Sequence, residues 1–273
     1  MQPLTVLSIA GSDSGGGAGI QADLRTFSAF EVHATTALTA VTAQNTLGVD
    51  AVQNVDVSIV VAQVLSVVDD FDVRAVKTGM LAQATTVEKV AELASQGLLP
   101  HLVVDPVLVS SSGHPLMDPG GAEAYRDTLL AHAEVVTPNL REAAMLCGVD
   151  VEDVTNPDDM LALAHQLLGF GPTWALVKGG HFAQHSPSER RTPDVLVGCG
   201  EVFVFDAERV VTTNDHGTGC SLSAAICAGL ALGRSVPDAA RDAKSFVLAA
   251  LSGAADWKLG RGRGPIDHLG WGP

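Results

Sequence analysis

Basic residues are scarce in this chain. Lys and Arg number 16 against 31 Asp and Glu, for a formal charge of −15. Nucleic acids and anionic membranes both reward a basic face, so neither is expected as a partner. Cysteine is sparse as well: Cys147, Cys199, Cys220 and Cys227 form no C-x-x-C pair and cluster with no histidines. That argues against a structural zinc site and fits a reducing, cytoplasmic compartment. No basic-then-apolar leader opens the chain, and no apolar run approaches membrane-spanning length. What is present suffices for one large core, since 47% of the 273 residues are hydrophobic. With no internal repeat and no dividing linker, a single domain over residues 1–273 is expected.

The stretch that organises the rest runs Asn214-Asp215-His216-Gly217-Thr218-Gly219-Cys220-Ser221. Residues 209–213 before it read as a β run. Leu222, Ile226 and Leu230 after it recur at helical spacing. Two glycines flanking a threonine let the backbone turn tightly, so that amides converge at a helix N-terminus and make an anion pocket. Cys220 falls in the first turn, where the helix dipole favours its thiolate. A plain strand-to-helix turn with a small buried cysteine competes with this reading, and the motif alone favours function only slightly.

A second glycine-rich loop, Gly11-Ser12-Asp13-Ser14-Gly15-Gly16-Gly17-Ala18-Gly19, follows a buried strand over residues 5–10. It lacks the Gly-Lys-Ser/Thr ending of a P-loop. Residues 17–22 match the dinucleotide fingerprint G-x-G-x-x-A, but that fold needs an acidic residue about twenty positions on. Between Glu31 and Asp50 there is none, and the dehydrogenase reading fails. Strands and helices then alternate. Strands are expected near residues 34–43, 73–77, 102–105, 135–137 and 174–177, with a hairpin over 194–206. Helices are expected near 57–68, 85–95, 157 onward, 218 onward and 237–255. The segments 107–116 and 183–192 read as a mobile loop and an exposed flap. The fold class is therefore α/β, a mainly parallel sheet with helices on both faces.

Several polar residues fall at or just after strand ends, where open α/β sheets bind ligands. Gln44 offers one acceptor and two donors to a neutral heterocycle, although taken by itself an ordinary polar strand end is the favoured explanation. Lys178, followed by Gly179 and Gly180, fits a phosphate contact or a surface lysine before a turn. Asn139 and Glu142 have the spacing of a helix capping box, and Glu142 could equally hold magnesium through water. Asp105 ends a strand before Pro106. An anion pocket, two carboxylates and a lysine on one rim make phosphoryl transfer the best chemical reading.

Taken as a set, several motifs resemble those of the hydroxymethylpyrimidine/phosphomethylpyrimidine kinases of thiamine biosynthesis, in family order from about residue 6 to 268. They are the loop 10–23, Thr42-Ala43-Gln44-Asn45-Thr46, Lys77-Thr78-Gly79-Met80, Val104-Asp105-Pro106-Val107, Thr137-Pro138-Asn139, Lys178-Gly179-Gly180-His181 and His216-Gly217-Thr218-Gly219-Cys220. The resemblance implies a ribokinase-like fold, ATP and Mg2+, and a cytoplasmic homodimer. It implies 4-amino-5-hydroxymethyl-2-methylpyrimidine and then its monophosphate as acceptors. Gly11, Asp23, Gln44, Met80 and Val107 would surround the pyrimidine; Asn139, Lys178, Gly179 and Gly180 would hold ATP. Asp105 and Glu142 would face the metal and phosphates. Gly217, Thr218 and Gly219 would form the anion hole, with Cys220 in the place of the superfamily's aspartate base. Asp215 departs from the family pattern and adds a negative charge near the phosphates. A pyridoxal/pyridoxine kinase of the same fold is the nearest alternative, and the Gln44-Asn45 pair favours the pyrimidine. A thiol hydrolase using Cys220 and His216, and a non-catalytic nucleotide sensor, are more distant ones.

Overall fold

The computed structural model describes residues 2–109, 116–180 and 191–272. A nine-stranded sheet in the order β3-β2-β1-β4-β5-β6-β7-β8-β9 runs through it. Strands β1 (Thr5–Asp13), β2 (His33–Asn45), β4 (Val73–Thr78), β5 (Leu102–Val104), β6 (Val135–Val136) and β7 (Trp174–Lys178) pair in parallel. Strands β3 (Gly48–Asn54), β8 (Asp194–Gly198) and β9 (Glu201–Phe205) join antiparallel at the two ends. The parallel strands are apolar on both faces because both faces are covered. Leu7, Ile9, Val76, Val104 and Val177 pack against helices α2 (Val57–Val68), α3 (Ala84–Ser95), α5 (Leu140–Cys147) and α6 (Pro157–Leu168). Their sequence neighbours Val6, Ala75, Val103 and Leu176 point the other way. There they meet α1 (Gly19–Ala29), α7 (Thr218–Ala231) and α8 (Val236–Gly253).

Helix α7 lies deepest and is buried on every side from Ser221 to Ala231. Its alanines and Gly229 let α8 approach closely: a Cβ on Gly229 would stand 2.8 Å from the Ala239 Cβ. This fixes the N-terminus of α7 relative to the sheet, and the anion-hole motif sits there.

Three elements differ from the expectation. Residues 209–213 form no strand, because none of the described residues pairs with them and Val211 is 90% exposed. Side chains hold the segment instead: Asn214 Nδ2 donates to the carbonyls of Ala254 and Trp257. β3 is an additional strand whose residues are mostly solvent-facing, so it lacks the apolar alternation that marks a half-buried strand. The short helix α4 (Gly121–Ala124) and the turns after it to His132 were likewise not expected; Tyr125, Leu129 and Leu130 bury them against the sheet. Most of the expected loop 107–116 and flap 183–192, and His181, lie outside the described residues.

Candidate active site

Asp13, the last residue of β1, folds the glycine-rich loop around itself. Its carboxylate accepts from the amides of Gly15 (2.7 Å), Gly17 (3.0 Å) and Ala18 (2.9 Å). Those amides are thereby unavailable to a nucleotide phosphate, which is the structural counterpart of the failed dinucleotide fingerprint. His216 Nε2 stands 2.9 Å from Asp13 Oδ2 and 3.2 Å from Gln44 Nε2. Burial pushes the Asp13 carboxyl up, but the His216 contact and the loop amides outweigh it and hold the group below its ordinary range. An ionised Asp13 calls for a proton on His216 Nε2, so that nitrogen is a donor. The Gln44 atom facing it is then best taken as the carbonyl oxygen, since amide orientation is assigned from such networks. Gln44, Gly11, Met80 and Val107 all line one cavity of about 500 Å³.

The opposite wall is the start of α7. Gly217 caps it in the left-handed region (φ +88), and a Cβ there would fall 1.8 Å from the Gly17 carbonyl oxygen. Only glycine lets these two loops touch. Thr218, Gly219 and Cys220 line the cavity at the first turn, whose amides an α-helix leaves without intrahelical partners; that of Thr218 makes a long bond of 3.4 Å to the Asp215 carbonyl. The Cys220 thiol departs from the expectation of a thiolate. Burial pushes it up to about 11; Lys77 opposes the shift, while Asp23 and Asp105 add to it. Desolvation outweighs the helix dipole here.

Beneath the cavity lies a buried ion pair. Lys77 Nζ donates to both oxygens of Asp23 at 2.9 Å, with both side chains fully buried, and Ser8 Oγ adds a bond of 2.6 Å. Burial would pull the Lys77 ammonium down, but Asp23, Cys220 and Asp105 keep it above its ordinary range. Asp23, expected around the substrate ring, is thus corrected to a counter-ion under the floor; Lys77 is the member that reaches the cavity wall.

At the other end, Lys178 Nζ donates to Asp105 Oδ1 at 2.9 Å. Asp105 also accepts from Thr137 Oγ1 (3.3 Å) and Ser223 Oγ (3.2 Å). Burial raises the Asp105 carboxyl, yet Lys178 and Lys77 together hold it below its ordinary value. The capping box is formed: Glu142 N donates to Asn139 Oδ1 (2.9 Å), and Glu142 Oε2 accepts from Asn139 N (2.8 Å). Asn139, Glu142, Lys178 and Gly180 line the cavity. Gly179 does not; its amide donates to Asp194, and a Cβ would lie 2.0 Å from the Pro193 carbonyl oxygen. Its glycine serves close strand packing.

Glu142 carries a stability consequence. Burial pushes its carboxyl up to about 7, with Asp105 adding to the shift and Lys178 opposing it. A raised carboxyl contributes stability that is full below its unfolded value near 4.5 and is lost as pH rises through about 7. Glu142→Gln keeps an acceptor for the cap but cannot ionise. Relative to the parent, it should therefore gain on the order of 2–3 kcal/mol between pH 4.5 and 8, read as Tm against pH. A constant Tm difference across that range would contradict the shift.

Other wall residues escaped the sequence reading. Val210, Val247, Leu248 and Leu251 form an apolar wing of the same cavity, and Lys244 pairs with Asp194 at 2.7 Å. Val247 and Leu251 stand four apart on α8, a spacing indistinguishable from ordinary core. Asp215, read as a charge near the phosphates, is neutralised: Arg263 grips it through Nε (2.8 Å) and Nη2 (2.5 Å). No group of three or more His, Cys, Asp or Glu suited to a metal occurs among the described residues.

Comparison with known proteins places these features in a family. Residues 13–267 match the family model described as phosphomethylpyrimidine kinase. A Streptomyces coelicolor hydroxymethylpyrimidine/phosphomethylpyrimidine kinase is 49% identical over 269 residues, covering 98% of this chain and 95% of its own. Among solved structures, an ADP complex of Bacillus subtilis pyridoxal kinase superposes with a TM-score of 0.85 at 36% identity, covering 98% of both chains. A Clostridium difficile phosphomethylpyrimidine kinase gives 0.78 at 38% identity, covering 91% of this chain and 99% of the other.

Proposed function

The chain belongs to the phosphomethylpyrimidine kinase family, and on that premise we propose that it transfers the γ-phosphoryl group of ATP in two successive steps. The first acceptor is 4-amino-5-hydroxymethyl-2-methylpyrimidine and the second is its monophosphate, in thiamine biosynthesis. The observation that carries this reading is one cavity lined by Gln44 from β2, by Lys178 from β7 on the far side of the sheet, and by the α7 N-terminus between them. A neutral ring and a chain of phosphates need those two chemistries side by side. In this reading the protein is a single ribokinase-like kinase domain and a cytoplasmic homodimer.

Each residue then has a task. Gln44, with Gly11, Met80 and Val107, holds the pyrimidine and aims its substituent at α7. The apolar wing takes the adenine. Lys178, Asn139 and Gly180 meet the triphosphate, and the amides at Gly217, Thr218 and Gly219 stabilise charge on the transferring group. Magnesium would be held by Asp105 and Glu142. Lys178, Thr137 and Ser223 already bond Asp105, so a water-mediated contact fits better than direct ligation, as is common for Mg2+. Its contribution would be to neutralise phosphate charge. Glu142→Gln should accordingly raise the magnesium concentration needed for half-maximal rate.

The test is ADP release with the pyrimidine alcohol, its monophosphate and pyridoxal offered separately. Turnover on both pyrimidines with little on pyridoxal is expected; preference for pyridoxal would overturn the reading. Gln44 gives a sharper expectation. A buried amide edge left unpaired costs about 1–3 kcal/mol per group. Gln44→Ala should therefore weaken pyrimidine binding by about tenfold or more, with ATP affinity little changed. Parent-like pyrimidine affinity would remove Gln44 from the acceptor site.

A further inference from the structure

The glycine-rich tail after α8 runs along the cavity, whose lining includes Arg263 and its partner Asp215, and touches the acceptor side at several points. Gly260 and Gly262 lie against Thr46, two residues beyond Gln44. A Cβ on Gly260 would come within 2.4 Å of Thr46 Oγ1, and one on Gly262 within 2.1 Å of the Thr46 carbonyl oxygen. The amides of Arg261 and Gly262 donate to Thr46 Oγ1 at 3.1 Å, and that of Arg263 to the Thr46 carbonyl at 2.9 Å. The Gly264 carbonyl accepts from the His216 amide at 3.0 Å. Further on, His268 Nε2 meets Ser221 Oγ at 2.8 Å, and Ser221 Oγ donates to the Gly217 carbonyl at 2.8 Å. The tail therefore braces both the strand end carrying Gln44 and the loop carrying His216.

Among the described residues of this strap, one ionic contact joins it to the loop: the two-pronged grip of Arg263 on Asp215. Asp215 immediately precedes His216, whose ring stands between Asp13 and Gln44. We infer that Arg263 and Asp215 are a positioning pair for the acceptor, latching the tail onto the loop so that His216 keeps Gln44 aligned. This rests on the reading of Gln44 as the acceptor contact. The nucleotide contacts Lys178 and Asn139 stand on β7 and at the start of α5, away from this loop, so the latch acts far more on acceptor affinity than on ATP affinity. With side chains 42% and 31% exposed, the pair is accessible to salt and adds little to global stability.

The experiment is a double-mutant cycle on the whole chain with Arg263→Ala, Asp215→Ala and both together, plus Arg263→Lys and Gln44→Ala. KM is measured for the neutral pyrimidine alcohol and for ATP, alongside kcat and Tm. Each single alanine should raise the alcohol KM about three- to fivefold, as loss of a half-exposed pair allows. The double variant should be no worse than either single, because the latch opens once. ATP KM and Tm should stay near the parent, and Arg263→Lys should keep much of the effect of the arginine. Added salt should raise the parent's alcohol KM and leave that of Arg263→Ala unmoved, since the acceptor is uncharged. Additive losses, an equal rise in ATP KM, or no change in any variant would overturn the latch. If Gln44→Ala itself leaves the alcohol KM at the parent value, the acceptor assignment has failed and the latch falls with it. If Gln44→Ala raises that KM while the latch variants do not, the latch alone is wrong.

Discussion

Cys220→Ala is expected to lower kcat/KM for the pyrimidine alcohol by about 10²–10⁴-fold, and that for the monophosphate by less than about tenfold. The two acceptors differ in one proton. An alcohol must lose its proton as the new O–P bond forms, whereas a phosphate monoester is already an anion at neutral pH. Cys220 lines the cavity at the α7 N-terminus, and on the proposed reading its thiolate would take that proton; the Gly19 amide and Lys77 both favour the ionised form. Burial nevertheless pushes the thiol up to about 11, so the base is present at pH 7 only as a small fraction. Alcohol phosphorylation should therefore climb with pH all the way toward about 11, by up to about tenfold per unit, while monophosphate phosphorylation stays nearly flat. Alanine should abolish that slope. Equal losses on the two acceptors, with parallel pH profiles, would mean that Cys220 only shapes the anion hole.

The rim of the site was legible because it depends on local features. Buried parallel strands are apolar throughout, so polar residues at their ends stand out, and Gln44, Asp105 and Lys178 do face one cavity. The capping box of Asn139 and Glu142 was equally local, needing only a spacing of three. What escaped depends on contacts distant in sequence. Lys77 and Asp23 are 54 residues apart, and His216 and Asp13 are 203 apart. No periodicity links such pairs, so Asp23 read as a ligand contact when it is a counter-ion. The expectation of a favoured thiolate at Cys220 failed for a related reason: the dipole of its helix is written in the sequence, but its burial is set by β1, β4 and α1. β3 escaped because an edge strand exposed to solvent carries no apolar stripe. Residues 209–213 misled in the opposite sense, since β-branched residues favour a strand only where a partner strand exists.

Lys178→Met should lower kcat/KM by about 10²–10³-fold on both acceptors alike, because on the proposed reading the charge it would stabilise sits on the transferring group and not on the acceptor. The same change leaves the Asp105 carboxylate 2% exposed with only the Thr137 and Ser223 hydroxyls as partners. Removing one member of a buried pair costs roughly 3–5 kcal/mol, so Tm should fall as well. The pH dependence of that fall has a definite sign. Lys178 is the largest influence holding the Asp105 carboxyl down. Without it the carboxyl takes up a proton at higher pH, and the deficit should shrink as pH drops. A second substitution separates the two effects. Asp105→Asn, added to Lys178→Met, removes the stranded charge and should restore most of the lost Tm without restoring turnover. Rates are compared at a temperature where every variant is folded. Recovery of turnover along with Tm in the double variant would reduce Lys178 to a counter-ion for Asp105, and the phosphate contact would then have to be sought elsewhere on the rim.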